Sequence, residues 1–455
     1  MKSRLLIFLF AALSLYIVFN KAEYKENMYQ WDVSGYYLYL PAVFIYHDLG
    51  TLRFYPELNK KYNTSGAANM YGMFEEPGGK RNIKYAIGTA LFELPFFLVA
   101  HVYCLVTHAC DADGYTYPYQ LAGIFSNIFW VVCGLFFLRS FLKKYFNDNI
   151  TAFTLLCIAF GTNLYCYTAF AQGMSHPYGF FLFAGVLYYT DIYYRELKKK
   201  HAYWLGFLLG MVIITRPVNI VIAVIPLFWE VYSVQSLRER FRFFRRNGKD
   251  ISIGAIIFFG VSFIQMFYWK YSTGHWIHYT YEGEGFNFLH PHIIDGLFSY
   301  QKGWFVYTPI ALVCMFGLYA LWNDNKKAAP AVVVFFVLMF YVVFSWRGWW
   351  YGGGFSARAL IETLPVAAFP LAYLSCDIFL GMKNMAIKIA FSVAMSFFIT
   401  LNLFQTYQYS LGIIHFVYMT KTYYWKVFGK TKITDESKYL MTGEEYFREI
   451  DESNK

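Results

Sequence analysis

One carboxylate, Asp32, stands among aromatic residues near the start of the chain, in the stretch YQWDVSGYYLYLP. A carboxylate at a membrane surface suits a general base or a metal ligand. An Asp ahead of an apolar stretch also caps helices, because its side chain accepts hydrogen bonds from the first backbone N–H groups. The sequence leaves both interpretations open, and we take Asp32 as the first catalytic candidate.

Cations and a further acid recur in loops that border apolar runs. Arg and Lys donate charge-assisted hydrogen bonds to phosphate oxygens, so cations gathered on one membrane face suit the phosphate of a lipid head group. At the end of an apolar run the same residues more often set topology or extend to the interface. The candidates for substrate binding are Arg81, Lys84, Lys302, Arg358 and Glu362.

The second catalytic candidate is His176, in the stretch AQGMSHPYGF. An imidazole relays protons or binds a metal near neutral pH. His275 and His278 would share one face only in a helix, so a zinc site there has little support. The run Gly352–Gly354 lacks the Lys-Ser/Thr pair of a phosphate-binding loop and favours a tight turn. The sequence therefore assigns no cofactor, and we expect no obligatory metal. A divalent metal is the open alternative.

The composition indicates which elements position these residues. The 455 residues are 58% hydrophobic and only 15% charged, whereas soluble domains are about 45–50% apolar and about 25% charged. Apolar runs recur along the whole length, which is typical of a multi-pass membrane protein of the all-α class. The formal net charge of +10 lies largely in short loops. It therefore indicates topology and a lipid bilayer as partner, and no nucleic acid.

Eleven apolar runs are candidate membrane spans, because a helix that crosses a bilayer needs about 20 apolar residues. Two of them are short and meet at Arg216-Pro217, where the proline would break a helix. The runs are 5–20, 118–138, 151–170, 177–194, 203–215, 217–232, 252–270, 304–322, 328–346, 361–380 and 385–407. We therefore predict a helix bundle of about eleven spans.

Short basic loops set the orientation, because Lys and Arg accumulate on the cytoplasmic side. An even number of predicted spans separates each basic loop from the next. This places the N-terminus inside and the chain from about residue 408 outside. The basic loops are 139–144, 195–200, 237–249, Lys326-Lys327, and Lys383 with Lys388.

The run 83–108 conflicts with this count, because a single crossing there would turn every later basic loop to the outside. We therefore expect this run to dip into the membrane or to lie along its surface. Glu93 and Pro95 near its middle favour the same interpretation. Residues 21–117 then form one large outside loop with two embedded amphipathic pieces, around 34–48 and 83–108.

Two regions follow from this organisation: a membrane domain over residues 1–410 and a polar tail over 411–455, on the outside. Aromatic residues at a membrane surface mostly anchor the protein there, and we expect this of most rings near Asp32. Most of the seven cysteines lie within apolar runs, with no CxxC pair. We expect them to be small apolar filler.

Several stretches together resemble the GT-C class of integral-membrane glycosyltransferases. The likeness is greatest to bacterial members similar to dolichyl-phosphate-mannose transferases or arabinose transferases, and it covers about residues 1–410. The stretches that carry it are WDVSGYYLYLPAVF, KYAIGTALFELPFFLVAH, KGWFVYTP and WWYGGGFSARALIETLP. The resemblance implies a helical membrane fold with embedded, non-spanning helices in the first outside loop.

The resemblance also implies a reaction. The donor would be a polyprenyl-phosphate-linked sugar, and the acceptor a hydroxyl on a glycan, a lipid or a protein. The acid of the first outside loop matches Asp32, but Val33 stands where many members carry a second acid. His176 stands where many relatives carry an Asp after the third span.

The implied mechanism is direct, inverting transfer with Asp32 as general base. Arg81 and Lys84 would hold the donor phosphate, with help from Lys302 or Arg358. The implied place is the periplasmic face of a bacterial inner membrane.

A transporter or lipid flippase is the main alternative, because such proteins carry charged residues at mid-membrane depth. Glu93 would be such a residue. No internal repeat is evident, and the charged side chains gather on one predicted face, which favours surface chemistry. Consumption of a lipid-linked sugar by the purified protein would distinguish the enzyme from the transporter.

Overall fold

The computed structural model describes residues 1–20, 28–66, 70–281, 283–434, 437 and 439–441. Parts of the predicted outside loop, at 21–27 and 67–69, and the end of the predicted tail, from 442 onward, lie outside these residues. The described chain is mostly helical, as the all-α class predicts. In chain order its elements are α1 (Lys2–Asn20), α2 (Trp31–Tyr37), α3 (Tyr39–Phe44), α4 (Tyr55–Tyr62), β1 (Met73–Glu76), β2 (Lys80–Ile83), α5 (Gly88–Thr107), α6 (Tyr117–Leu142), α7 (Asp148–Phe160), α8 (Leu164–Ala169), α9 (Ser175–Glu196), α10 (Lys199–Thr215), a 3₁₀ helix (Pro217–Ala223), α11 (Val224–Phe228), α12 (Val234–Arg246), α13 (Gly248–Thr273), α14 (Ile293–Phe298), α15 (Trp304–Tyr307), α16 (Pro309–Asp324), α17 (Ala329–Phe344), a 3₁₀ helix (Arg358–Thr363), α18 (Leu364–Cys376), a π-helical turn (Asp377–Gly381), α19 (Met385–Ser410) and α20 (Lys421–Val427).

Six helices of the described chain are long and apolar enough to cross a membrane, by length and composition. They are α1, α5, α6, α13, the segment Arg358–Gly381 that contains α18, and α19. These helices support a membrane protein, but they do not reach the eleven predicted spans. The predicted run 151–170, for example, is divided into α7 and α8. The division falls at Gly161, which lies so close to Ile310 that a Cβ there would be 2.1 Å from its Cδ1 atom.

The first predicted basic loops meet at one end of the bundle. The N-terminal amino group of Met1 donates to Asp148 at 2.9 Å, and Arg139 Nη2 lies 3.8 Å from the same carboxylate. Lys144 donates to Asp191, near the end of α9, at 2.9 Å. The N-terminus and the basic residues after α6 and near the end of α9 therefore share one end, as the charge pattern predicts.

Helix α1 runs antiparallel to α6 and covers its second half. The ring of Phe8 packs on Phe136, with centroids 5.9 Å apart, and Phe19 packs on Phe125, with centroids 6.2 Å apart. The end of α1 therefore lies beside the level of Phe125 in α6. If α1 crosses the membrane, this level marks the face opposite the basic loops.

Helix α5 also runs antiparallel to α6, but it covers the other half. Phe92 packs on Trp130 with centroids 4.9 Å apart, and Cys104 Sγ lies 3.9 Å from Thr116 Oγ1. The end of α5 thus lies about 14 Å beyond the level of Phe125, at 1.5 Å per residue of α6. This offset favours partial entry into the membrane over a full crossing beside α1. Length and composition would allow a crossing, so the expectation for 83–108 stays a prediction.

Cys104 and Cys110 form a disulfide at the end of α5. Expecting every cysteine to be apolar filler was wrong for this pair, because six residues of separation with a left-handed turn at His108 bring the two sulfurs together. The other five cysteines are free and buried or half-buried. Disulfides persist in oxidising compartments, which favours the outside placement of this part of the 21–117 loop.

We expect the two paired thiols to resist alkylation until the protein is reduced. Mass spectrometry of the intact protein, alkylated under denaturing conditions before and after reduction, should show two additional modified cysteines after reduction. The five free cysteines serve as the internal control, because they react in both samples. Modification of Cys104 or Cys110 without reduction would contradict the pairing.

The aromatic stretch around Asp32 is core rather than a surface belt. Tyr36, Tyr37 and Tyr39 are each less than 5% exposed. Tyr39 donates from its hydroxyl to the carbonyl of Tyr85 at 2.6 Å, and Tyr37 donates to the carbonyl of Gly114. The expectation that most of these rings anchor the membrane surface was therefore wrong. The hydroxyls of Tyr37 and Tyr39 donate to carbonyl groups within the outside loop, and this pairing lets tyrosines be buried.

A small hairpin follows α4, which the all-α prediction did not include. Strands β1 and β2 pair antiparallel, with Glu75 opposite Arg81. The turn between them contains Gly78 and Gly79, both with positive φ, a conformation that glycine adopts without steric cost. The hairpin contacts α13, because the backbone N–H of Ile83 donates to the hydroxyl of Tyr268 at 2.7 Å.

The described start of the predicted tail packs against the helix bundle. Tyr423 is fully buried, and Tyr424 is 6% exposed and accepts a hydrogen bond from Gln405 of α19 at 2.8 Å. These side chains belong to the same apolar core as the long helices.

Candidate functional site

The carboxylate of Asp32 is bound by three side chains from distant parts of the chain. Arg358 Nη2 donates to Oδ2 at 2.7 Å, while the hydroxyls of Tyr85 and Tyr71 donate to Oδ1 at 2.6 and 3.0 Å. Asp32 lies in the first turn of α2, and the N-cap position is Gln30. Asp32 therefore does not serve as the N-cap residue, and its carboxylate is held by side chains at the centre of an outer cluster.

Two opposing effects act on the pKa of Asp32. Burial alone would raise it, but the charge of Arg358 and the hydrogen bonds from Tyr85 and Tyr71 outweigh burial, so the pKa lies below the usual value. The side chain of Asp32 still has 19% exposure, against 12% for Arg358. The carboxylate is therefore ionised at neutral pH and open to a reactant.

Lys302 fixes the loop that carries Arg358. Its ammonium group donates to the carbonyls of Gly354 and Phe416, and the residue is only 2% exposed. Arg358 Nη1 donates to the carbonyl of Gly353 at 3.0 Å. Burial, and then the nearby charge of Arg358, lower the pKa of Lys302 well below its usual value. Lys302 thus positions the glycine loop, and little of it is open to a substrate.

His176, Glu362 and Arg216 form a second, buried network. His176 Nδ1 lies 3.0 Å from Glu362 Oε1, and Arg216 Nη1 lies 3.5 Å from His176 Nε2. This fits a neutral imidazole that donates from Nδ1 and accepts at Nε2. Gly179 permits the approach of Glu362, since a Cβ there would lie 2.2 Å from Glu362 Cγ. His176 and Glu362 have no exposed side-chain surface, so both are placed to orient Arg216.

The two networks meet through one short helix and one tyrosine. Arg358 and Glu362 lie four residues apart in the 3₁₀ helix Arg358–Thr363. The ring of Tyr36 packs on that of Tyr85, with centroids 4.7 Å apart. Burial and the charge of Asp32 raise the pKa of Tyr36, and the charge of Arg216 opposes them, so this phenol is influenced by charges of both networks. The site thus contains two carboxylates and two guanidinium groups.

Both guanidinium groups, of Arg216 and Arg358, carry a buried Nε–H group without a hydrogen bond among the described residues, while a small part of each arginine side chain stays exposed. Arg216 Nε lies 3.3 Å from Glu362 Oε1, as an ion pair. A phosphate accepts several hydrogen bonds at once, and arginine pairs are well suited to supply them.

Lys84 lies at the edge of this site. It forms an ion pair with Glu284, and its ammonium group lies 4.8 Å from the centre of the Tyr281 ring. Tyr85, next in the chain, carries one of the hydroxyls that bind Asp32. Lys84 is therefore near the cluster but already paired.

Arg81 is not joined to the cluster by a hydrogen bond or an ion pair of the described residues. It lies on β2, and its Nη1 atom contacts Met70 Sδ at 3.5 Å. Met70 precedes Tyr71, so Arg81 is two steps removed from Asp32. The structure therefore brings Asp32, His176, Arg358 and Glu362 together, with Lys302 behind them.

Sequence reasoning missed three residues of the site: Arg216, Tyr71 and Tyr85. The sequence marks Arg216 only as part of a helix break, although a cation between two apolar runs on the predicted outer face is a signal that could identify it. The two tyrosines carry no such signal, because the chain contains 42 tyrosines. Among the described residues no group of three or more His, Cys, Asp or Glu could hold a metal ion.

The site lies at the end of the bundle opposite the basic loops. His176 is the second residue of α9, whereas Asp191, which binds Lys144, is near the other end of the same helix. Tyr29, close to Asp32, donates to the carbonyl of Tyr119 in the first turn of α6. All catalytic candidates therefore share the end that the charge pattern predicts to be outside.

Glu362→Gln should destabilise the protein strongly. The variant leaves Arg216 buried without its carboxylate, and removing one partner of a buried ion pair costs about 3–5 kcal/mol. Thermal unfolding in detergent should show a large fall in the midpoint, whereas Glu239→Gln on the exposed side of α12 should leave it unchanged. An unchanged midpoint for Glu362→Gln would show that this network does not support the fold.

Comparison of the chain with known protein families finds no family model that matches, and comparison with curated proteins finds no match either. The resemblance to GT-C glycosyltransferases therefore rests on the quoted sequence stretches alone.

Proposed function

We propose that this protein is an integral-membrane glycosyltransferase. It transfers a sugar from a polyprenyl-phosphate donor to an acceptor hydroxyl at the outer face of the membrane. One observation carries the proposal: an ionised, partly open carboxylate is paired with Arg358, and Arg216 lies in the adjoining network through Glu362, at one end of a bundle of apolar helices. A base next to a phosphate-binding pair is what sugar transfer from a lipid phosphate requires.

In this proposal the chain has eleven spans, with the basic loops in the cytoplasm. The outer face is the periplasmic face of a bacterial inner membrane, and the product belongs to the cell envelope. The disulfide between Cys104 and Cys110 supports an oxidising compartment on that side. The offset of α5 along α6 supports an embedded helix there that does not cross.

The reaction proceeds in one step. The acceptor oxygen attacks the anomeric carbon, and Asp32 takes the proton of the attacking hydroxyl. The new bond joins the acceptor oxygen to the anomeric carbon, while the bond from this carbon to the phosphate oxygen breaks. Its electron pair stays on the polyprenyl phosphate that leaves. Attack opposite the leaving group inverts the anomeric centre.

The arginines stabilise the charge that develops on the leaving phosphate. Arg216 is oriented by Glu362 and His176, and Arg358 by the loop that Lys302 fixes. When a phosphate draws Arg358 away from Asp32, the carboxylate loses its strongest neutralising partner and becomes a stronger base. Donor binding and base activation are thereby coupled. Lys84 and Arg81 approach the donor from the edge of the site.

A transporter or lipid flippase is the second candidate, and Glu93 is the observation that favours it. Glu93 lies in α5, is 1% exposed, and accepts a hydrogen bond from Tyr178 at 3.0 Å. Its Oε2 atom has no hydrogen-bond partner among the described residues. Buried acids in membrane helices are typical of proton or ion pathways.

Donor consumption tests the enzyme against the transporter. The purified protein in nanodiscs is offered a panel of polyprenyl-phosphate-linked sugars together with glycan, lipid-alcohol and peptide acceptors, and mass spectrometry measures free polyprenyl phosphate. We expect release from at least one donor and none from protein carrying Asp32→Asn. A panel that stays intact with wild-type protein would contradict the proposal.

A further inference from the structure

Trp31 is exposed at a place where the surrounding rings are buried. It immediately precedes Asp32, yet 49% of its surface is open to solvent. Its φ is 50°, in the left-handed region that a bulky residue rarely adopts. Its N–H donates to the carbonyl of Thr64 at 2.8 Å, which holds the strained backbone. Such strain persists where the surroundings enforce it and is concentrated at ligand sites.

The indole is supported on two sides. The ring of Tyr71 meets it edge-on, with centroids 5.1 Å apart and planes at 87°. Gly66 lies beneath it, so that a Cβ there would be 3.4 Å from the indole. The hydroxyl of the same Tyr71 donates to Asp32. Tyr71 therefore contacts both Trp31 and Asp32, so a ligand stacked on Trp31 would lie close to the reacting carboxylate.

A polar groove continues from Trp31 over α4. The cavity has a volume of about 610 Å³, and Gly66, which supports the indole, also lines it. Glu57, Lys60 and Asn63 line the groove, and their side chains form no hydrogen bond or ion pair with other described residues. Carboxylate, ammonium and amide groups are the usual partners of sugar hydroxyls.

We propose that Trp31 and this groove bind the acceptor, and that the acceptor is an oligosaccharide. Its terminal sugar stacks its C–H face on the indole, whose ring face carries partial negative charge, and presents one hydroxyl to Asp32. The following sugars lie in the groove over α4. This inference rests on the proposed function, because it assigns the second substrate of that reaction. A simple lipid alcohol would contact neither the exposed indole of Trp31 nor the polar groove over α4.

Binding to a defined array tests the acceptor class. Nanodisc-embedded protein is applied to immobilised linear oligosaccharides and, on the same surface, to peptides. We expect wild-type protein to bind a subset of the oligosaccharides, Trp31→Ala to bind them at least tenfold more weakly, and Trp31→Tyr to retain most binding. The matched control is Trp276→Ala. Trp276 is similarly exposed, at 43%, but its ring stacks on Phe263 of α13.

Three results would overturn the inference. They are equal binding of oligosaccharides by Trp31→Ala and wild type, binding of wild-type protein to the peptides alone, and binding of wild-type protein to neither ligand class. Donor cleavage without an acceptor separates this failure from failure of the proposed function. Wild-type protein should release sugar to water from a labelled polyprenyl-phosphate sugar, and Asp32→Asn should not. If wild type cleaves no donor, the glycosyltransferase proposal fails, and the array result stands alone.

Discussion

Asp32→Asn lowers the rate of sugar transfer by about 10²–10⁴-fold, the range that a general base contributes. The amide cannot accept the proton of the attacking hydroxyl at neutral pH. It keeps the shape of the side chain and can still accept hydrogen bonds from Tyr71 and Tyr85, which bind one carboxylate oxygen in the wild type. The fold should therefore survive the change. Transfer of labelled sugar by nanodisc-embedded protein measures the effect.

Asp295→Asn is the matched control for this variant. Asp295 lies on the same predicted outer side, with a side chain 55% exposed and paired with His292. We expect wild-type transfer from it. If Asp32→Asn retains the wild-type rate while it is folded, then Asp32 is not the base.

Arg358→Gln should reduce transfer by about 10²–10³-fold, the cost of removing one donor that stabilises a developing negative charge. It should also change the pH dependence. In the wild type Arg358 holds the pKa of Asp32 below its usual value, so activity should persist as the pH falls to about 4. Without the guanidinium, burial dominates and raises the pKa of Asp32. The acid limb of the rate profile should then move to higher pH.

The ion pair of Asp32 and Arg358 should contribute to the stability of the fold in a defined pH range. An unfolded Asp has a pKa of about 4, and the folded-state value for Asp32 is lower. The pair therefore stabilises the fold above about pH 4, and this contribution is lost as the pH falls through the folded-state value. Arg358→Gln should be less stable than wild type at pH 7, and the difference should narrow in acid.

Arg347→Gln is the control for both effects, because Arg347 lies in the same outer loop and is exposed. Its N–H contacts the carbonyl of Gly285, and that contact is independent of the side chain. We expect wild-type rate, stability and pH profile. An Arg358→Gln variant with reduced rate but an unshifted acid limb would mean that Asp32 does not act as the titrating base.

The helical membrane class and the shared end of the basic loops could be predicted, because both follow from local composition. Long apolar runs gave α1, α6, α13 and α19 within a few residues. Interruptions such as the one at Gly161 could not be predicted in this way. They depend on a neighbour distant in sequence, Ile310, which approaches too closely for an ordinary side chain.

Residues of the site could be predicted where their immediate sequence surroundings mark them. Asp32 is a lone acid among rings, and His176 and Glu362 flank apolar runs. That Arg216 joins them depends on contacts across 40 and 146 residues of chain, which no local pattern records. A cation directly before a predicted span favours substrate binding by Lys302. Only the fold reveals that two backbone carbonyls already hold it.

The most direct test of the account follows both halves of the donor. A polyprenyl-phosphate sugar that carries tritium in the sugar and radioactive phosphorus in the phosphate is incorporated into proteoliposomes with the purified protein and an oligosaccharide acceptor. We predict that wild-type protein moves the tritium to the acceptor and leaves the phosphorus on the lipid, and that Asp32→Asn separates neither label. If the two labels stay together and only change bilayer leaflet, the protein is a flippase and the account is wrong.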